Sequence, residues 1–344
     1  MDNDSLASAR LGEGMIRAGS IQPLSGLVKA FGLDEAALLR AVGLPRGALA
    51  PADNVLPLDR SARLIELCAQ RSGRPDLALL IGQRIEPEQY GLIGAQMRHA
   101  RSVGAAWRGL ILNLHLNGRA VVPSLAFAGQ EAEIGVTLAG EEIEGYEHIL
   151  TVALAAACAL MRGLVDTRWA PSEVHVSLRK PADPAPWRPY FRAPVRFGAD
   201  RTALVFPAAL LRRPVQGADA ETRRQMERAI AAALDGQDLN LVTQVRRVLL
   251  TQVSRDEVSI DGTARLLGLH KRTLNRRLAD VGTSFARLLG EVRFRIARHL
   301  LVETELSFVD IAGTLGYGDA STFSRAFRGW AGISPSAWRR ANAK

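Results

Sequence analysis

An internal repeat in the last third of the chain constrains its fold more than any other feature. Similar residues recur about 49 positions apart in SIDGTARLLGLHKRTLNRRLADVGTS (259–284) and SFVDIAGTLGYGDASTFSRAFRGWAGIS (307–334). Each copy has an alanine followed four residues later by a glycine, Ala264 with Gly268 and Ala312 with Gly316. The alanine lets two helices approach closely, and the glycine takes the positive φ of a tight turn. The repeat predicts helix-turn-helix units at 259–281 and 307–331.

The second helix of each predicted unit has two distinct faces. Apolar residues at i, i+4, i+7 predict a buried face, formed by Leu274, Leu278 and Val281 in one copy and Phe323, Phe327 and Trp330 in the other. The opposite face is polar and short, formed by Arg272, Asn275, Arg276 and Ala279 and by Ser321, Ser324, Arg325 and Arg328.

Neither polar face contains an acid, whereas a solvated helix face usually mixes both signs of charge. Arginine bonds both major-groove acceptors of guanine, asparagine pairs with adenine, and serine bonds bases or phosphates. The alternative is that each is a plain surface helix. The recurrence of the acid-free polar face in two aligned copies argues against this alternative. The chemistry of these faces favours contact with DNA.

The net charge is concentrated in the same region. Residues 241–344 contain 17 Lys and Arg against 9 Asp and Glu, a net charge of +8, while residues 1–240 carry +1 from 27 and 26. A phosphate-binding domain needs such an excess, because cationic side chains release counterions from DNA.

Residues 284–304 lie between the two copies and predict a long helix. At ~1.5 Å per residue this helix spans roughly 30 Å, close to the ~34 Å of one DNA turn. Such a helix would set both recognition helices into successive major grooves of double-stranded DNA.

The first two thirds of the chain predict a mixed α/β domain. Asn117-Gly118 is a turn signal, and two alternating segments after it predict a β-hairpin over 120–127 and 131–138. Further helices are predicted at 58–71, 77–85 and 149–161, and further strands at 173–178 and 202–206. The predicted fold class is therefore multidomain, with the following boundaries: a flexible tail at 1–20, the mixed α/β domain at 21–215, a connecting helix and linker at 216–240, and an all-α domain at 241–344.

The repeat, the long helix and the ending GYGDASTFSRAFRGWAGISPSAWR together resemble the DNA-binding domain of AraC/XylS-type transcriptional regulators over residues 240–342. This resemblance implies a sequence-specific regulator whose base-contacting positions are Arg272, Asn275, Arg276, Ala320, Ser321 and Arg325, with Lys271, Ser324 and Arg328 completing the DNA-binding set. Ala320 offers only a methyl contact to thymine. We expect the first copy to carry more of the sequence specificity and the second more of the positioning.

The first 215 residues resemble the amino-terminal sensing domain of an arabinose-binding-like subgroup through GLIGAQMRHARSVGAAWRGL and YFRAPVRFGADRTALVFPAALLRRPV. This resemblance implies a small-molecule effector, not necessarily arabinose, and a homodimer. RNA polymerase is a further candidate partner. His115, in ILNLHLNG, is a candidate effector contact, although a lone histidine there is more often structural.

Two alternatives remain open. One is an alkyl-transfer enzyme fused to the same kind of DNA-binding domain, which needs a reactive cysteine; Cys68 and Cys158 are isolated and have no metal-binding spacing. The other is a protein that coats DNA without sequence preference.

No P-loop, GxSxG or dinucleotide motif is present, so we predict no cofactor, metal or enzymatic activity. The sequence contains neither a signal pattern nor a membrane span, which favours a cytoplasmic protein.

Overall fold

The fold is described from a computed structural model, covering residues 11, 14–118, 120–138, 143–235, 241–253, 258–267, 269–304 and 306–342. The chain divides into two compact units. Unit 1 comprises Met1–Val174, Pro181–Val195 and Ala203–Gly236, and unit 2 comprises His175–Lys180, Arg196–Thr202 and Gln237–Lys344.

The strands form two sheets. A two-stranded antiparallel sheet pairs β1 with β2, and a second sheet has the order β3-β4-β7-β5-β6. In chain order the strands are β1 (Met15–Arg17), β2 (Val55–Pro57), β3 (Val121–Ala128), β4 (Glu131–Leu138), β5 (Glu173–Val176), β6 (Val195–Phe197) and β7 (Ala203–Pro207).

The predicted hairpin is confirmed. Strands β3 and β4 pair antiparallel from Val121 opposite Leu138 to Ala128 opposite Glu131, and β7 pairs antiparallel with the other edge of β4. Alternation along β4 buries Ala132, Ile134 and Val136. This pattern is the one that identified the strand, since residues two apart share a face.

Helices make up the rest of unit 1. They are α1 (Pro23–Ala30), α2 (Glu35–Ala41), α3 (Leu58–Ser72), α4 (Leu77–Gln83), α5 (Gly91–Arg98), α6 (Val103–Asn113), α7 (Tyr146–Leu164), α8 (Trp187–Phe191) and α9 (Ala220–Asp235). The alanine-rich α7 is long and apolar enough to cross a membrane by length and composition, but most of it is buried within the protein. It is the core helix that the sequence predicted. Helix α9 lies in the segment where a connecting helix was predicted, and residues 236–240 of that segment lie outside the described residues.

The structure differs from the prediction of a flexible tail at residues 14–20. Met15–Arg17 forms β1, and Ala18–Ile21 forms a 3₁₀ turn. The side chains of Ile16, Ala18 and Ile21 are buried in the core of unit 1. These residues have no periodicity of their own, and their order depends on tertiary packing against distant segments such as β2.

In unit 2, the described part of 241–344 is helical, as predicted. Its helices are α10 (Leu241–Val253), α11 (Ile260–Leu266), α12 (Lys271–Asp280), α13 (Phe285–Glu303), α14 (Phe308–Thr314), α15 (Ala320–Ala331) and α16 (Pro335–Ala341). Residues 175–180 and 196–202 also cluster with this unit. The two predicted helix-turn-helix units are α11 with α12 and α14 with α15.

Candidate DNA-binding interface

Hydrogen bonds to backbone groups define the turn of the first helix-turn-helix unit and the start of its second helix. The amide of Leu269 donates to the carbonyl of Ala264 at 2.8 Å, and His270 caps α12 by accepting the amide of Arg272 on Nδ1 at 3.4 Å. Leu274 and Leu278 on α12 are fully buried. Gly268, predicted to occupy the turn, lies outside the described residues.

The second unit repeats this geometry. The amide of Tyr317 donates to the carbonyl of Ala312 at 2.9 Å, and Gly316 has the predicted positive φ, 71°. Asp319 caps α15 where His270 caps α12. Ala264 and Ala312 are 48 positions apart, whereas the two caps are 49 apart. The second turn is therefore one residue longer than the first.

The cationic and amide side chains predicted on α12 share one exposed side. Lys271, Arg272, Asn275 and Arg276 are all exposed, opposite buried Leu274. Lys271 Nζ lies 3.1 Å from Asp261 Oδ2, an exposed ion pair of little stabilising value. Within the described part of the chain, the other three side chains make no hydrogen bond or ion pair. They are available to an external partner.

The corresponding side of α15 is less open. Ser321, Arg325 and Arg328 are exposed, while Ala320 and Ser324 are partly buried. Arg325 Nη2 donates to Thr322 Oγ1 at 3.3 Å. In the described structure the guanidinium of Arg328 has no hydrogen-bond or ion-pair partner. The structure thus brings all the predicted DNA-contacting residues of α15 to the first three turns of that helix.

Asp319 organises the start of α15. Its carboxylate accepts the hydroxyl of Ser321 at 2.7 Å, the amide of Thr322 at 2.7 Å and the hydroxyl of Thr322 at 2.8 Å. The hydrogen bond from Ser321 and those from Thr322 lower the pKa of Asp319, so the group stays ionised. Because Ser321 donates its proton here, its oxygen can only accept a further hydrogen bond.

Sequence reasoning missed Asp319 and His270 as positioning residues. An aspartate directly before an amphipathic helix is an N-cap signal, so Asp319 was recoverable from the sequence. His270 carries no comparable signal, because histidine is not among the common capping residues.

The prediction of a buried side chain is wrong for one residue. Val281 was expected on the buried face, but its side chain is 55% exposed. Helix α12 ends at Asp280, so helical spacing no longer places Val281 over the core. Its counterpart Trp330 lies within α15, which continues to Ala331, and its ring packs 5.7 Å from that of Phe294.

The predicted long helix between the units is α13, capped by Ser284, which accepts the amide of Arg287 at 3.2 Å. Its 19 residues span roughly 28 Å at the usual rise. Leu288 and Val292 are buried, as their spacing predicted.

An aromatic cluster packs α13 against the second helix-turn-helix unit. The ring of Phe294 lies 5.5 Å from Phe327 and 6.2 Å from Trp338. Arg293 stacks over the Tyr317 ring at 4.7 Å and donates to the carbonyl of Gly316 at 3.3 Å. These contacts join the long helix to the turn that precedes α15.

Polar contacts connect α13 to the first unit through α10. Arg246 Nη2 donates to Glu291 Oε2 at 2.7 Å, and Thr263 Oγ1 of α11 donates to Gln252 Oε1 of α10 at 2.8 Å. Val245, Leu249 and Val253 bury the apolar side of α10. Helix α13 therefore contacts the second helix-turn-helix unit directly and is connected to the first through α10.

Comparison with known proteins identifies the family to which this chain belongs. Residues 32–215 match the family described as "Arabinose-binding domain of AraC transcription regulator, N-term", and residues 263–341 match a helix-turn-helix domain family. This chain belongs to the AraC family of transcriptional regulators. The resemblance inferred from the sequence is confirmed, and the chain is a DNA-binding transcriptional regulator with an arabinose-binding-like amino-terminal domain.

Relatives of this AraC-family regulator match almost its whole length. The ornithine utilization regulator of Pseudomonas aeruginosa is 30% identical over 336 residues, covering 93% of this chain and 95% of the relative. The regulator VirS of Mycobacterium tuberculosis is 26% identical and covers 94% of this chain and 96% of the relative. The crystal structure of the regulator CdpR from Pseudomonas aeruginosa is 22% identical with a TM-score of 0.48, covering 94% of this chain and 98% of that one.

His115, the candidate effector contact, lies in a 3₁₀ turn spanning Leu114–Leu116 and is 4% exposed. Its neighbours Leu114 and Gly118 line a cavity in unit 1, but His115 itself is not among the lining residues. A role for His115 in effector binding stays a prediction.

Proposed function

We propose that this AraC-family regulator binds a specific operator through the exposed sides of α12 and α15, under the control of a small molecule bound in the amino-terminal domain. The observation that carries the proposal is the pair of equivalent helices, each with two fully buried apolar side chains on one side and an exposed side free of acids. An exposed helix side with arginine and asparagine suits major-groove contact.

The proposed roles follow from chemistry and exposure. Arg272, Asn275 and Arg276 contact base edges, since their donors have no partner in the described structure and reach further than serine or alanine. Arg325 contacts a base edge in the second half-site, while Lys271 and Arg328 contact phosphate as point charges. Ser321 and Ser324 position the second helix, and Ala320 contacts a thymine methyl group.

A selection experiment tests this proposal. Full-length protein is used to enrich random duplex DNA, and binding of the selected and scrambled sequences is then compared at several salt concentrations. We expect an enriched sequence with two parts about one helical turn apart. Equal affinity for selected and scrambled DNA, with a steep salt dependence alone, would mean that the protein coats DNA without sequence preference.

The burial and the raised pKa values of the two cysteine thiols do not support the alternative of an alkyl-transfer enzyme. Both cysteines are buried, and burial raises the pKa of Cys68 to about 12 and that of Cys158 to about 11. A nucleophilic cysteine requires a thiolate, which these surroundings disfavour. Exposure to a methylating agent followed by mass spectrometry should leave both thiols unmodified.

Three further features belong to the proposal. The regulator acts in the cytoplasm, as a homodimer held by its amino-terminal domain, and contacts RNA polymerase when bound beside a promoter. The domain match over residues 32–215 supports a sensing role for that region. Sedimentation of the full-length protein would show a monomer if the dimer is wrong.

A further inference from the structure

Unit 1 contains a cavity between its second sheet and its longest helix. The centre of a water-sized sphere can occupy about 70 Å³ of this cavity, several times the ~10–15 Å³ that one water molecule needs. The walls include Trp107 and Leu110 on α6, Val121 and Val136 on the sheet, and Ile149 and Val152 on α7. Small residues of α7, among them Ala153 and Ala156, leave the space open.

The cavity wall is apolar with two exceptions. None of the described lining side chains is charged at neutral pH, and only Ser20 and Tyr90 carry hydroxyl groups. The indole N–H of Trp107 already donates to Met161 Sδ at 3.0 Å. In the described structure the hydroxyls of Ser20 and Tyr90 form no hydrogen bond. Burial raises the pKa of Tyr90 to about 12, so its hydroxyl stays neutral and able to donate.

Close backbone contacts hold Tyr90 in place. Tyr90 ends the 3₁₀ turn Pro87–Tyr90. A Cβ on Gly94 would lie 1.6 Å from the carbonyl oxygen of Pro87, and one on Gly19 would lie 2.3 Å from that of Gln89. Only glycine allows these approaches. The turn therefore presents Tyr90 to the cavity in a defined position.

The 3₁₀ turn that ends at Tyr90 is connected, through α5, to the last helix of unit 1. Helix α5 begins at Gly91, directly after Tyr90, and packs against α9. His99, just after α5, accepts the amide of Asp219 on Nδ1 at 3.1 Å, immediately before α9 begins. The chain from α9 continues into unit 2. A ligand that shifts Tyr90 would thus displace a turn continuous with the helix that α9 contacts.

We propose that the cavity binds a neutral, mainly hydrocarbon molecule with one hydrogen-bonding head group, and that Ser20 and Tyr90 hold that head group. The regulatory part of this inference rests on the proposed function. A charged head would lose its hydration without a counter-ion, and a sugar would leave most of its hydroxyl groups without partners. The hydrophobic lining instead favours a ligand whose burial removes apolar surface from water.

Titration calorimetry of the full-length protein with n-alkanols tests the ligand class. We expect the dissociation constant to fall roughly fourfold for each methylene added from 1-hexanol to 1-octanol. Octanoate, which has the same chain with a charge, should bind more weakly than 1-octanol, and L-arabinose should not bind. Saturable binding of arabinose, or alkanol binding that does not depend on chain length, would overturn the inference.

Two cavity variants and one control variant locate the binding in this cavity. Ala153→Leu fills the space from α7 and should abolish 1-octanol binding, while Ala159→Leu, on the same helix but not among the lining residues, should leave it unchanged. Tyr90→Phe should weaken 1-octanol binding roughly three- to tenfold, the loss of one hydrogen bond, without changing the gain per methylene. Unchanged binding in a folded Ala153→Leu protein would place the ligand elsewhere.

Measuring DNA binding and alkanol binding on the same protein samples distinguishes a failure of this inference from a failure of the proposed function. The affinity of full-length protein for its selected operator is measured with and without 1-octanol. Sequence-specific DNA binding without alkanol binding would overturn the cavity inference alone. Chain-length-dependent alkanol binding without any DNA sequence preference would overturn the proposed function alone, and alkanol binding that leaves operator affinity unchanged would overturn the regulatory role of the cavity.

Discussion

Arg276 and Arg325 occupy equivalent positions on the two recognition helices, yet their surroundings differ. Arg276 is exposed and has no partner in the described structure, while Arg325 is exposed and donates to Thr322. The spacing of apolar residues was enough to predict that both point away from the core. The sequence did not reveal the hydrogen bonds around Thr322, because they depend on the rotamers of side chains one turn apart.

Replacing either arginine should relax DNA sequence preference. We expect Arg276→Ala or Arg325→Ala to lose roughly 1 to 3 kcal/mol of discrimination at one base position. Competition binding against operators that differ at each position measures this. Arg277→Ala is the matched control, since it removes the same charge from an exposed position on another side of α12. Uniform loss across all operators would assign the arginine to a phosphate instead.

At the scale of single helices, the caps determine where each recognition helix begins. Asp319 accepts three hydrogen bonds, whereas His270 makes one long contact of 3.4 Å. The start of α15 is therefore held more firmly than that of α12. A firmly held start suits the positioning role that we expect for the second copy.

Removing the carboxylate of Asp319 should destabilise α15. We expect Asp319→Ala to lower the melting temperature of the full-length protein by a few degrees, since helix N-termini lose stability without a capping acceptor. Asp319→Asn keeps an acceptor and should lose less.

The effect should depend on pH. The lowered pKa of Asp319 means that its stabilising contribution is present above about pH 4 and is lost as the carboxylate becomes protonated at lower pH. The difference in melting temperature between the unaltered protein and Asp319→Ala should therefore narrow on acidification. A difference that widens would argue against the cap.

For the whole molecule, the length of α13 and its contacts with the second helix-turn-helix unit and with α10 are the central features. A helix of roughly 28 Å is close to one turn of B-DNA. Aromatic packing around Phe294 joins α13 to the second unit, and the contact of Arg246 with Glu291 joins it to α10, which contacts the first unit; together these contacts limit how far the two units can separate.

The operator should therefore tolerate little change in spacing. We expect insertion of about five base pairs between its two parts to reduce affinity to that of one part alone, because half a helical turn moves one part to the opposite side of the duplex. Insertion of a full turn keeps the same side but exceeds the reach of α13. Fluorescence anisotropy on this operator series measures the effect, and equal affinity for all spacings would contradict simultaneous binding.

The amino-acid sequence by itself determined the duplicated helix-turn-helix units, the long helix between them, the β-hairpin and the alanine-rich core helix. These elements are encoded by spacings of two to seven residues, so neighbouring positions are sufficient to predict them. The tertiary structure alone decided that Met15–Arg17 pairs with Val55–Pro57, that Val281 is exposed, and that Ser20 and Tyr90 share one cavity. Each of these depends on where a helix ends or on contacts between distant segments, which periodicity along the chain does not encode.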